Sequence, residues 1–429
     1  MKTLEQVAAS LQGYDPQALR ADTALRFLQA MVAPVPQTED VQLKAALGRV
    51  LAHDVVSPID VPAHDNSAMD GFAFDGTLLQ ADQALSLEIA GTALAGKAWS
   101  GTVGRTQCLK IMTGAVMPSG LDTVVPQELV RIDGQRITIP AGALRRGDNR
   151  RFKGEDLCQG KPALLAGDTV GPAALGLLAS LNIAQIAVRR KLRVAFFSTG
   201  DEILSLGESP REGAVYDSNR YTLFGLLTRM GVEVLDMGVV RDDPQALEAA
   251  FQQAAAQADA IITSGGVSVG EADHTKAVMR KLAGGEGGVA FWKIAMRPGR
   301  PMAVGRITQG ERSAVLFGLP GNPVAVMVTF LAFVRPALLQ MMGRTTVDTP
   351  MLKALSAEAI RKKPGRTEYQ RAIVSTGQDG ALRVRTTGQQ GSGVLSSMAV
   401  ANGLLVLHHE QGNVAVGQEV DVLMFDGVI

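Results

Sequence analysis

The sequence predicts an α/β fold joined to β-rich domains: a central doubly wound domain, β-rich N-terminal domains and a small all-β C-terminal domain. Three observations carry this. From Lys191 to about residue 345, continuous apolar runs alternate with helical patterns. That is the rhythm of buried, mostly parallel strands covered by helices on both faces. Residues 53–149 instead hold short apolar runs broken by Gly, Pro and Asp, which reads as turn-rich β structure. Residues 350–429 return to short strands such as LRVRTT, GLLVLHH and VDVLMF. The expected division is 1–52 with 150–190 as a discontinuous N-terminal domain, 53–149, 191–345 and 346–429.

Each element has its own warrant. Over residues 15–32, Leu19, Ala24, Leu25, Leu28 and Met31 recur near helical spacing, and Pro34 and Pro36 end the helix. Asp133-Gly134 between two apolar runs signals a hairpin. One helix is expected around Pro172 to Leu181. The central domain reads as LRVAFFS, a helix near Arg220 to Met230, VEVLDMGVV, a helix from Pro244 to Ala256, then DAIITS. A helix from Thr275 to Leu282, FWKIAM, AVLFGL and a helix from Pro323 to Leu339 follow.

Composition narrows the function. The 42 basic residues balance 42 acidic ones, which argues against a nucleic-acid binder with its basic stripe but leaves room for a small anion site. Cys108 and Cys158 form no CxxC and have no histidines at zinc spacing. They read as reduced, buried thiols of a cytoplasmic protein. The start of the chain has Glu5 and Asp15 and no long apolar core, so no signal peptide is expected. No run of about 18 apolar residues is seen, so no membrane span is expected.

In open α/β sheets, ligands sit beyond the carboxyl ends of the strands. Four loops of special composition follow the expected strands: Thr199-Gly200-Asp201-Glu202, Arg241-Asp242-Asp243-Pro244, Gly265 to Asp273, and Leu319-Pro320-Gly321-Asn322-Pro323. Asp243 and Pro244 make an ordinary helix start, which leaves Asp242 free. Asn322 and Pro323 make a similar start at the ligand edge, where free N–H groups favour an anion. Ser264-Gly265-Gly266 is either a tight turn or a place where backbone N–H groups approach a phosphate. Glu202, Asp242 and Asp273 then face that anion site. Carboxylates beside phosphate call for a cation between them, and Mg²⁺ takes oxygen ligands from both.

Lys293, Arg297 and Arg300 gather near one strand and turn, and Arg145, Arg146, Arg150, Arg151 and Lys153 gather in one loop. Such groups suit an anion. Gly91 to Ala98 imitates a phosphate loop but has Ala98 where Ser or Thr must hold the metal, and no helix pattern follows. His408-His409 has no metal-site companions.

At these loops the chain resembles the MoeA-type molybdopterin molybdenumtransferase family, related to the E domain of eukaryotic gephyrin. SGGVSVGEADHTK (Ser264 to Lys276) and GLPGNP (Gly318 to Pro323) are shared with the wider molybdopterin-binding domain. DVPAHDNSAMDGFA (Asp60 to Ala73) and IMTGA (Ile111 to Ala115) separate this family from single-domain adenylyltransferases, which lack both. RRFKGED (Arg150 to Asp156), YDSNR (Tyr216 to Arg220), PGRTEYQR (Pro364 to Arg371) and QGS (Gln390 to Ser392) complete the match over nearly the whole chain.

The resemblance implies a reaction: molybdenum from molybdate is inserted into adenylylated molybdopterin, and AMP is released with Mg²⁺ assistance. It implies a homodimer, with Asp70 and Thr113 of one subunit across from the central domain of the other. Carried over by position, the catalytic set is Asp70, Thr113, Glu202, Asp242 and Asp273, of which Glu202, Asp242 and Asp273 would hold metal. The ligand-contacting set is Ser264, Gly265, Gly266, Lys293, Arg297, Pro298, Pro320, Asn322, Pro323, Arg371 and Ser392. Four positions depart from the family. Phe72 stands where Tyr is common, Arg297 and Arg300 replace lysines, and His274 replaces an aromatic Tyr. An arginine keeps the charge but presents a planar fork rather than a point cation. The competing readings are an adenylyltransferase acting one step earlier and a non-catalytic molybdopterin-binding scaffold; selectivity for tungstate over molybdate also stays open.

Overall fold

The computed structural model describes residues 3–267 and 274–425. They fall into two compact units. One holds the chain up to Ala52, Gly167–Pro172 and Gln185 onward; the other holds His53–Ala166 and Ala173–Ala184.

In the first unit, a six-stranded sheet runs in the order Glu233–Val240, Arg193–Thr199, Ala260–Ser264, Arg312–Leu319, Pro301–Gln309, Val289–Lys293. The first three pairings are parallel and the last two antiparallel. Alternate residues of Arg193–Thr199 serve opposite faces. Val194 and Phe196 join a core with Leu223, Leu227, Val324 and Phe330, while Ala195 and Phe197 join another with Leu247, Phe251 and Met279. Helices therefore cover both faces, as the continuous apolar strands require. Pro301–Gln309 is a strand that the sequence did not separate from its neighbours; Gly305 within it admits the backbone and side chain of Val289 at a distance no Cβ would allow.

Pro323–Met341 forms one 19-residue span, long and apolar enough to cross a membrane by composition. It is not an unbroken apolar run, since Thr329, Arg335 and Gln340 stand within it, so the expectation that the sequence holds no run of about 18 apolar residues is unchanged. Phe330–Val334 is wound as a π-helical segment within it, and 89% of its most apolar window is buried in the unit. A helix apolar on all sides is what a domain core uses.

The N-terminal helix is shorter than the expected 15–32. It spans Ala21–Met31, because Leu19 spends its backbone elsewhere. Its N–H donates to Lys293 O at 3.1 Å, and its own carbonyl accepts from Ala295 N at 2.7 Å. Phe27 of that helix packs edge-on against Trp292 at 5.0 Å, and Trp292 Nε1 donates to Tyr14 Oη at 3.0 Å.

The C-terminal strands close on themselves. Thr367–Thr376 pairs with Leu382–Thr386 and with Gly403–Leu407; Leu352–Ser356 and Glu419–Met424 complete the circuit. Closure removes the open edges that short strands would otherwise expose. Ala372, Val384, Leu405 and Val422 fill the interior.

The second unit holds another six-stranded sheet, in the order Thr123–Pro126, Gly71–Phe74, Gln107–Ile111, Leu85–Ala93, Arg136–Ile139, Arg131–Asp133. Gly71–Phe74 is buried along its length. A Cβ on Gly71 would lie 2.0 Å from Val125 O, so only glycine fits. The expected hairpin is present, with Asp133 paired to Arg136 and Gly134 at φ 58° in the turn. The helix expected near Pro172 spans Pro172–Ser180.

The cysteines are both free, but only Cys108 is buried; Cys158 is exposed. That corrects the expectation of two buried thiols. Cys158 sits in a polar turn, its Sγ donating to Gly154 O at 3.2 Å, whereas Cys108 faces the sheet core beside Phe72 and Val125.

Candidate active site

A cavity of about 910 Å³ is lined by all four loops at the carboxyl edge of the central sheet, by the turn from Met296 to Pro301, and by Gln390, Gly391 and Ser392. The first loop brings Glu202. Gly200 has φ 145°, and a Cβ there would lie 2.6 Å from the Glu202 carboxylate, so the glycine lets that acid fold back. The second brings Asp242. Asp243 Oδ1 accepts from Gln245 N and Ala246 N at 3.0 and 2.9 Å with Pro244 as the first helical residue. The cap is thus supplied by Asp243, and Asp242 lines the cavity, with Thr275 Oγ1 at 3.5 Å from its Oδ1.

In the third loop, Gly265 and Gly266 have φ 93° and 67°. A Cβ on Gly265 would meet Thr199 O at 2.5 Å, and one on Gly266 would meet Thr275 Oγ1 at 2.5 Å. The turn is tight, and the same two glycines line the cavity. In the fourth loop, Asn322 stands at the helix start with extended backbone, yet its side chain makes no capping bond. It lines the cavity instead. Val324 N donates to Ser392 O at 3.1 Å, which ties the loop of the C-terminal barrel to this helix start.

Opposite charges share the space. Glu202 and Asp242 line it together with Arg297 and Arg300, both exposed to solvent. The Arg297–Pro298 peptide is cis.

Of the expected ligand-contacting residues, the cavity brings together Gly265, Gly266, Arg297, Pro298, Pro320, Asn322 and Ser392, beside the acids Glu202 and Asp242. Ser264, Lys293, Pro323 and Arg371 are outside its lining among the described residues. Lys293 is half-buried, its N–H donating to Pro16 O at 2.8 Å. Arg371 is fully buried. Its guanidinium donates to Ser397 Oγ at 2.9 Å and to the carbonyls of Gln389, Gln390 and Gly391 at 3.1, 3.3 and 2.8 Å. It shapes the loop that presents Ser392. Burial, and then the like charge of Arg297, holds the Arg371 guanidinium below its ordinary pKa. Asp273 lies outside the described residues. Arg300, one of the three cations expected to suit an anion, lines the cavity as well, and so do Thr199 and Gly321 of the expected loops; Thr275 and Gln390 line it without having been given a role, because nothing in the string shows which residue of a motif faces inward.

Asp70 and Thr113 belong to the second unit and meet there. Thr113 N and Oγ1 both donate to Asp70 Oδ1, at 2.7 and 2.8 Å. The backbone bond, then the hydroxyl bond, hold this exposed carboxyl below the usual Asp range. The basic loop expected to suit an anion is largely occupied by acids: Arg146 with Asp122 at 2.6 Å, Lys153 with Asp60 at 3.3 Å, and Arg150 with Asp65. RRFKGED and DVPAHDN are therefore a structural pair. His408 Nε2 lies 2.6 Å from Asp421 Oδ2 in an exposed contact, and no helix follows Lys97.

Among the described residues no group of three or more His, Cys, Asp or Glu gathers at metal-binding distances. The cavity offers two carboxylates. That donor set suits Mg²⁺, which is held by one or two carboxylates plus substrate phosphates and keeps several waters.

Fold and cavity define a multidomain α/β protein with a cavity at the carboxyl edge of a doubly wound sheet, lined by acids, cations and a Gly-Gly turn. Residues 19–182 match the MoeA N-terminal region (domain I and II), 195–340 a probable molybdopterin binding domain, and 353–425 the MoeA C-terminal region (domain IV). A Haemophilus influenzae protein named molybdopterin molybdenumtransferase is 39% identical over 94% of this chain and 98% of its own. A Nostoc protein of the same name is 36% identical over 96% and 95%. A crystal structure of a molybdopterin biosynthesis moeA protein from Pyrococcus horikoshii superposes with a TM-score of 0.78 at 27% identity, over 95% of this chain and all of that one. The chain belongs to the MoeA family.

Proposed function

We propose that the chain is a molybdopterin molybdenumtransferase, which inserts molybdenum from molybdate into adenylylated molybdopterin and releases AMP. The observation that carries the reading is the convergence of Glu202, Asp242, the Gly265–Gly266 turn, Arg297 and Arg300 on one cavity, in a chain of the MoeA family. Phosphoanhydride cleavage leaves negative charge on the departing phosphate, and the site must meet that charge. The backbone at Gly265 and Gly266 approaches the phosphates without a side chain in the way. Arg297, Arg300 and the Ser392 hydroxyl are charged and neutral donors for a tetrahedral dianion such as molybdate. Arg371 fixes Ser392 through the carbonyls it binds. Mg²⁺ held by Glu202 and Asp242, with Asp273 as the resemblance implies, would neutralise phosphate charge when bound.

The resemblance also supports a homodimer in which the Asp70–Thr113 pair of one subunit serves the cavity of the other. With its pKa lowered, Asp70 is an anion at neutral pH and accepts hydrogen bonds or protons rather than donating them.

The test is AMP release from adenylylated molybdopterin by the purified protein, with and without molybdate and Mg²⁺. Molybdate-dependent release is expected. Release that ignores molybdate, or none under any condition, overturns the reading in favour of an adenylyltransferase or a binding scaffold.

A further inference from the structure

Behind the cavity wall lies a buried polar cluster that the reaction scheme does not use. It comprises Ser198, Asp217, Asn219 and Ser264, which are 1%, 4%, 7% and 3% exposed. Burying four polar side chains in an apolar domain costs stability unless each is hydrogen-bonded. A hydrophobic set would pack there at lower cost, so the cluster calls for a reason.

The bonds give one. Both amide protons of Asn219 are spent on ligand loops: Nδ2 donates to Ser264 Oγ at 3.0 Å and to Gly321 O at 2.7 Å. Ser264 immediately precedes Gly265-Gly266, and Gly321 lies between Pro320 and Asn322; these four neighbours all line the cavity. One side chain thus ties the third loop to the fourth. A backbone bond from Gly265 N to Leu319 O, 3.1 Å, runs alongside. The tie is itself anchored. Asp217 caps the helix Ser218–Arg229 by accepting from Arg220 N at 3.1 Å, and the same Oδ1 accepts from Ser198 Oγ at 2.9 Å. Ser198 Oγ in turn lies 3.4 Å from Ser264 Oγ. Asn219, in the first turn of that helix, is therefore placed by the helix cap, and the cap is placed by the strand end.

The geometry points to Asn219 as a positioning residue of the active site: its amide sets the spacing between the Gly265–Gly266 wall and the Pro320–Asn322 wall, with Asp217 and Ser198 holding the Ser264 side. It does not touch the ligand; it fixes two loops that do. As a role in catalysis this rests on the transferase reading, but the coupling of the two loops does not.

The chemistry separates the two bonds. In Asn219→Asp, measured at a pH where the new carboxyl is ionised, the side chain cannot donate. The Ser264 hydroxyl can turn and donate to it, but the Gly321 carbonyl cannot. Asn219→Asp should therefore release the fourth loop and spare the third, while Asn219→Ala releases both. Hydrogen exchange on the full chain reads this directly. We expect the amides of Gly321 and Asn322 to exchange at least about tenfold faster in both variants, and those of Gly265 and Gly266 only in Asn219→Ala, as expected for bonds of ordinary strength. The helix Pro244–Gln257 serves as the unchanged reference. In turnover, KM for adenylylated molybdopterin should rise about tenfold in Asn219→Ala with kcat altered less, since uniform binding is what loose walls forfeit.

Wild-type exchange at all four amides in both variants overturns the proposal. So does a uniform rise across the domain with KM unchanged, which a merely structural role would give. If Asn219→Ala does not fold, Ser198→Ala keeps the test: it cuts the Asp217 arm, and faster exchange at Gly265 with Gly321 unaffected is required. If the wild-type protein shows no turnover, the transferase reading fails, and the exchange pattern alone still decides the coupling.

Discussion

Thr113 grips Asp70 twice through a single oxygen: its backbone N–H and its hydroxyl both donate to Oδ1, at 2.7 and 2.8 Å. Oδ2 of the same carboxylate is left to other partners. Two bonds to the ionised form favour it, so the carboxyl titrates below the usual Asp value of about 3.9. The folded form binds its proton less readily than the unfolded chain. Whatever stability the pair contributes is present above the ordinary Asp range and lost as pH falls through the lowered folded value. In Thr113→Val the hydroxyl bond goes and the backbone bond stays. The Asp70 midpoint, followed by carboxyl NMR, should move part of the way up toward the ordinary value, and AMP release should fall. An unmoved midpoint would show that the hydroxyl contributes nothing.

Glu202 reaches the cavity because Gly200 lets it fold back. Glu202→Ala removes an exposed carboxylate without opening a core, so the melting temperature should stay within a few degrees, on the order of other surface changes. AMP release in the presence of molybdate and Mg²⁺ should be lost. Asp273→Ala is expected to do the same. Turnover at the wild-type level in both would remove the acidic cluster from the mechanism.

Gly265→Ala and Gly213→Ala form a controlled pair. Both positions have positive φ, 93° and 78°, so both carry backbone strain of about 1 kcal/mol or more. Only at Gly265 does the new Cβ meet something, Thr199 O at 2.5 Å, whereas nothing lies within 4 Å at Gly213. Gly265→Ala should lose activity about a hundredfold, the scale of a misplaced ligand wall. Gly213→Ala should lose stability alone. Equal kinetic effects would mean that the Gly265 contact is unimportant.

Arg371→Met tests whether that charge serves the loop. Three carbonyls and Ser397 Oγ would lose their donor inside a buried site. Hydrogen bonds to a charged group are worth about 1.5–3 kcal/mol each when removed, so urea unfolding should show destabilisation of several kcal/mol. A variant as stable as wild type but defective in molybdate binding would instead place the guanidinium on the ligand.

Cys108 and Cys158 should react very differently. Burial pushes the Cys108 thiol up to about 12, leaving almost no thiolate at neutral pH, and the thiolate is the reactive form. Cys158 is exposed. Thiol titration should find one reactive group in the folded protein and two in denaturant. Two fast thiols in the native state would contradict the burial of Cys108.

The sequence by itself determined the kinds of layer and the loops that matter. Apolar runs such as VAFFS and AIITS, short and ended by turn residues, read as strands buried on both faces, and the Gly, Asp and Pro that follow them mark the carboxyl edge. Asp243-Pro244 declared a helix start, and Asp133-Gly134 a hairpin, because those signals are local: they depend on φ preferences and hydrogen bonds within a few residues. The tertiary structure decided what depends on distant partners. Leu19 left the expected helix because Lys293 and Ala295 claimed its backbone. RRFKGED turned its cations toward Asp60 and Asp65, and Arg371 gave its guanidinium to the carbonyls of the loop that carries Ser392. The direction a charged side chain takes is set by which opposite charge or carbonyl the fold brings within about 3 Å, and no pattern along the chain encodes that. Asn219 is the sharpest case: as one letter of YDSNR it is only a helix start, and its bonds to Ser264 and Gly321, 45 and 102 residues away, exist only in the folded domain.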